Sequence, residues 1–160
     1  ITIRNNRYPS YKWIKHSIGN KQSLINDQVN AVIEDRDGDL WFATNNGISF
    51  FNSKTGQWSS VLSSFEKPQA NKSHIFLTLC EVSPGTIWAG GYSSGVYQID
   101  KKSLQISYFM PPLYSEGVMR PDKYIRDIRM DSQGYIWSGG FYNLKRINLK
   151  TQRLPSKRAI

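Results

Sequence analysis

The chain has 160 residues and a formal net charge of +9, with 21 Lys and Arg against 12 Asp and Glu. Aromatic residues make up 13%, and 12 Gly and 7 Pro are spread along its length, which excludes a disordered or collagen-like chain and points to a β-rich globular one. No run approaches the ~20 apolar residues of a membrane-spanning helix, and the single Cys80 can neither close an intramolecular disulfide nor build a thiolate zinc site. The start at Ile1, without Met or a signal-peptide pattern, reads as that of an excised or processed segment.

In chain order, residues 1–5 and 11–15 read as two strands, and from Val29 the sequence begins to repeat itself. Segments 29–58, 76–109 and 125–153 superimpose, aligning Gly38 with Gly85 and Gly134, and Trp41 with Trp88 and Trp137. The tryptophans recur 47 and 49 residues apart, the repeat length of a propeller blade. Each unit predicts four short strands. The first strands are mostly apolar runs at 29–33, 76–80 and 125–130. A tight turn with Gly in a positive-φ slot follows. The second strands, 40–44, 87–91 and 136–140, carry a large aromatic followed by small residues, which suits sheets packed face to face. Third strands at 48–50, 96–99 and 144–147 end in polar turns, and weaker outer strands follow at 57–62 and 105–109.

The fold class is therefore all-β: a partial β-propeller of about three and a half four-stranded antiparallel blades. Residues 1–28 form a half-blade (third and fourth strands) with its lead-in. Blades span 29–75, 76–124 and 125–160, with Trp41, Trp88 and Trp137 respectively. Propellers have typically 4–8 blades, so the chain reads as an arc of a longer protein.

A four-stranded meander puts the second-to-third loops and the connections between blades at one end. That end collects amides, hydroxyls and aromatic rings, the groups that bind a sugar's hydroxyls and cover its apolar faces. The candidate ligand-binding residues are Asn46, His74, Tyr92, Tyr142 and Asn143. Arg126 and Asp127, in an inner strand, are expected to form a polar pair lining the central channel.

No catalytic residue and no metal site is assigned. Gly91-Tyr92-Ser93-Ser94-Gly95 has the spacing of a hydrolase nucleophile elbow, but that device needs a helix after the serine, and here a strand follows. Asp35-Arg36-Asp37-Gly38-Asp39 has the acids of a calcium loop, but its Gly comes too early, and the matching turns keep the Gly and lose the carboxylates. The basic residues fall in outer turns, connections and termini, without the continuous groove that nucleic acid requires.

Residues 30–48, NAVIEDRDGDLWFATNNGI, with the lead-in 24–29, LINDQV, closely resemble the two-component regulator propeller repeat. The second repeat departs from it at Val82 and Gly91, and the third at Gly140 and Asn143. The resemblance implies the periplasmic sensor region of an inner-membrane hybrid histidine kinase, as in gut Bacteroidetes. It implies a segment that is not itself an enzyme, needs no cofactor, and senses an oligosaccharide through ligand-biased domain arrangement. The implied partners are that oligosaccharide, the remaining blades and signalling domains of the parent chain, and a second copy in a homodimer. A propeller scaffold for protein–protein contact without a small ligand is the alternative.

Overall fold

A tight turn at each aligned glycine folds the chain back on itself. Gly38, Gly85 and Gly134 have φ of 84°, 73° and 83°, the left-handed conformation that a residue without Cβ adopts at little cost. The structure, a computed structural model, describes residues 12–61, 74–92, 95–109, 124–141 and 144–149. These hold three antiparallel meanders. The first runs β1 (Val29–Glu34), β2 (Leu40–Thr44), β3 (Gly47–Asn52) and β4 (Gln57–Val61). The second runs β5 (Phe76–Ser83), β6 (Thr86–Gly91), β7 (Gly95–Asp100) and β8 (Ile106–Phe109). In the third, β9 (Ile125–Met130), β10 (Tyr135–Gly140) and β11 (Leu144–Asn148) pair in sequence order.

The expected strands appear within three residues of their predicted ends, so the all-β propeller class holds. The half-blade differs. Residues 12–15 form no strand, and the lead-in instead makes an isolated bridge between His16 and Leu24. Residues 1–11, which include the strand expected at 1–5, lie outside the described residues. Among the described residues no helix is long and apolar enough to cross a membrane.

The sheets stack because alternate residues point to opposite faces. Trp41 and Ala43 of the first sheet meet Leu79, Ile87, Ala89 and Ile99 of the second, forming one core cluster. One residue further along the second sheet, Trp88 faces the other way. With Val82, Val96 and Phe109 it meets Ile125, Ile128, Ile136 and Ile147 of the third. Trp41 and Trp88 are buried, while Trp137, whose face has no further sheet against it among the described residues, is half-buried.

The two interfaces use different chemistry at one equivalent point. Between the first and second sheets, the Lys101 ammonium lies 2.8 Å from Asp35, 2.7 Å from Asp37 and 2.8 Å from Asp39. The β6–β7 and β10–β11 registers align Lys101 with Leu149 of the third sheet, and the aligned glycine turns put Val82 where the first sheet has Asp35. Leu149 packs on the cluster that contains Val82. An ionic clamp at one interface is thus an apolar contact at the next.

Candidate functional site

Opposite ends of the meanders carry different groups. At one end the β1–β2 turn holds Asp35, Asp37 and Asp39, whose carboxylates lie within 4.8 Å of one another. The Lys101 ammonium from the β7–β8 turn donates to all three, so a cation borne by the protein stands where a metal ion would otherwise bind. Asp35 also accepts hydrogen bonds from the Trp41 indole at 2.8 Å and from the backbone N–H of Asp37 and Asp39. Burial acts to raise the Asp35 pKa, but Lys101, Trp41 and the two amides outweigh it and hold the carboxyl below its ordinary 3.8. Desolvation likewise opposes the charge on Lys101, and the three carboxylates reverse that and raise it. The cluster is a structural clamp.

The other end gathers the loops. Thr44 Oγ1 donates to the Gly47 carbonyl and accepts from the Asn46 N–H, fixing the β2–β3 loop and leaving the Asn46 side chain exposed. The Gly47 N–H donates to the His74 carbonyl at 2.9 Å. The next carbonyl, of Ile75, accepts from the Tyr92 N–H at 2.8 Å. The connection between the sheets therefore bridges both loops, and brings Asn46 and His74 together as the meander geometry predicts. A chain of amides reinforces this end: Asn45 donates to Gln28, and Asn30 donates to both Asn45 and the Phe76 carbonyl.

From Tyr92 a row of rings continues toward the third sheet. Tyr92 meets Tyr124 edge-on with centroids 5.0 Å apart, and Tyr124 meets Phe141 in the same manner at 5.1 Å. Tyr92 is 43% exposed and Phe141 49%. The Arg126 guanidinium lies 5.0 Å above the Phe141 ring, completing the row with a cation–π contact. Tyr142 and Asn143, also expected at this end, lie outside the described residues.

The meander geometry also puts Tyr124 and Phe141 at this end, but their edge-on stacking depends on where two separate connections meet and cannot be read from the sequence. Arg126 was assigned to a pair with Asp127, and the structure corrects this. Neighbours in a strand point to opposite faces, so Asp127 pairs with Arg129, two residues on, at 3.2 Å, and accepts from Thr78. At the G-x-S-x-G spacing, Gly91 pairs with Gly95 across a strand–turn–strand hairpin, and the helix that a nucleophile elbow needs is replaced by β7.

Residues 23–46, the lead-in with β1 and β2, match the family model described as two component regulator propeller. The fold is similar to an extracellular domain from B. thetaiotaomicron, described as that of the hybrid two component system BT3049. That match has a TM-score of 0.69 and 22% identity, over 89% of this chain and 18% of the other. Two structures of the extracellular domain of BT4673 from B. thetaiotaomicron, described as a one component system in one and a hybrid two component system in the other, match with TM-scores of 0.59 and 0.60. Their identities are 22% and 23%, over 84% of this chain and 19% of theirs. The chain thus spans about a fifth of the length of the solved chains it matches. No curated protein matches it.

Proposed function

We propose that the chain is a non-catalytic, ligand-sensing part of the extracytoplasmic region of a hybrid two-component sensor, and that an oligosaccharide binds at its loop end. The observation that carries this reading is the row Tyr92, Tyr124 and Phe141, its outer rings exposed, beside the backbone bridge from Gly47 to His74: flat rings next to polar groups on a rigid scaffold. Rings of this kind cover the apolar face of a pyranose, and neighbouring polar groups fix its hydroxyls. The propeller repeat at residues 23–46 and the likeness in fold to extracellular domains of two-component systems support the sensor assignment.

In this reading the parent chain adds the remaining blades, a membrane anchor and a histidine kinase, and works as a homodimer at the inner membrane, with this segment on the periplasmic side. Ligand acts by binding one arrangement of these parts better than another. A nearly complete shift from one arrangement to the other requires about 5.5 kcal/mol of differential affinity.

Calorimetry of the full-length sensor region against a panel of oligosaccharides tests the reading. Tyr92→Ala and Phe141→Ala are each expected to weaken the best ligand about tenfold, equivalent to about 1.4 kcal/mol. Tyr142→Ala probes the adjoining loop. Failure to bind any oligosaccharide, with stable capture of a partner protein in its place, would support a propeller scaffold and sink the sensor reading.

A further inference from the structure

The geometry points to an acidic oligosaccharide, one bearing a carboxylate or a sulfate ester, as the ligand class of this site, with Arg126 as the residue that recognises the acid. The inference rests on the oligosaccharide reading above and narrows it. Arg126 leaves β9 beside the exposed ring of Phe141, with its guanidinium 5.0 Å from the ring centroid. A guanidinium seated over a ring still presents its N–H edge outward, in the fork that matches two oxygens of a carboxylate or sulfate.

That edge has no hydrogen-bond acceptor or ion-pair partner among the described residues. Among the described residues no carboxylate lies within ion-pair distance of Arg126, and the adjacent acid, Asp127, is engaged with Arg129 and Thr78 on the other face of the strand. Arginine offers donors and no acceptor, so it suits a group that only accepts, whereas a neutral sugar hydroxyl is served equally well by an amide. The net charge of +9 adds a long-range term that favours anionic ligands and speeds their encounter. Tyr92 and Phe141 would hold the sugar ring while Arg126 grips the acid at its edge.

The experiment is calorimetry of the full-length protein with three oligosaccharides of equal length: one containing uronic acid, one sulfated and one neutral. Each is titrated at low and at physiological salt into wild type, Arg126→Gln and Arg126→Lys. The expected result is tight, salt-sensitive binding of at least one acidic oligosaccharide, weakened tenfold or more by Arg126→Gln. Arg126→Lys, which keeps the charge and loses the fork, should fall between. Which acidic arm responds distinguishes carboxylate from sulfate. Equal binding of acidic and neutral oligosaccharides, unchanged in both variants, would overturn this inference and leave the oligosaccharide reading standing. No binding in any arm to the wild type would overturn both. Should Arg126→Gln fail to fold, Arg126→Lys and the salt dependence of the wild type still decide between these outcomes.

Discussion

A single aspartate governs each of two turns. Asp35 and Asp131 each accept two backbone N–H groups of their own turn and the indole N–H of the tryptophan six residues on, at 2.8 Å in both cases. The Trp137 hydrogen bond is the main cause that holds Asp131 below its ordinary 3.8. A small residue two positions beyond the tryptophan is the second local requirement. At Gly90 an added Cβ would come within 2.5 Å of Ile125 Cγ2 and 2.7 Å of Thr78 Cγ2. The first sheet accommodates Ala43 at the equivalent place, and around Gly139 nothing lies within 4 Å. Gly90→Ala is therefore expected to cost about 1–3 kcal/mol, because a packed core yields little to overfilling. Thermal unfolding measures it, and an unchanged Tm would mean that β9 is free to move away from β6.

At the scale of elements, one sheet interface responds to pH and the other does not. Asp35 has a lowered pKa in the folded state, so its contribution is present above 3.8 and is lost as pH falls through the folded value. Lys101 has a raised pKa, so its contribution is complete below 10.5 and is lost as pH rises through the folded value. The clamp thus works between about pH 4 and pH 10. Lys101→Met leaves Asp35 and Asp39 buried with no counter-charge and is expected to destabilise by about 3–5 kcal/mol at neutral pH. Below pH 3.8 the deficit should shrink as Asp35 protonates. Leu149→Ala at the other interface removes an apolar contact and should give a loss that does not vary with pH. Denaturant unfolding of both variants at pH 3 and pH 7 checks the contrast, and parallel pH profiles would contradict it.

At the scale of the molecule, local signals made the strands legible. Glycine turns, tryptophans at a fixed spacing and period-two alternation all lie within a few residues of one another, so the meanders could be drawn from the sequence. The clamp could not. Lys101 lies more than sixty residues from the acids it joins, and in the sequence it is one more lysine of an outer turn. The repeats themselves hold the missing signal: Lys101 and Asp35 occupy at one interface the equivalent places that Leu149 and Val82 occupy at the next. The loop end was legible as a place because topology alone puts loops and connections together there, and Asn46, His74 and Tyr92 lie there as expected. Its chemistry was only half legible, since the positions of Tyr124, Phe141 and Arg126 relative to one another depend on two separate connections and on the facing of one strand.

The central claim is that ligand binds at the loop end and not at the clamp end. Hydrogen exchange followed by mass spectrometry, on the full-length protein with and without the tightest-binding oligosaccharide of the panel, tests it most directly. The account predicts slowed exchange in peptides covering Tyr92, residues 124–126 and Phe141, with no change around Asp35–Asp39 and Asp100–Ser103. Protection confined to those two turns, at the opposite end of the sheets, would contradict it.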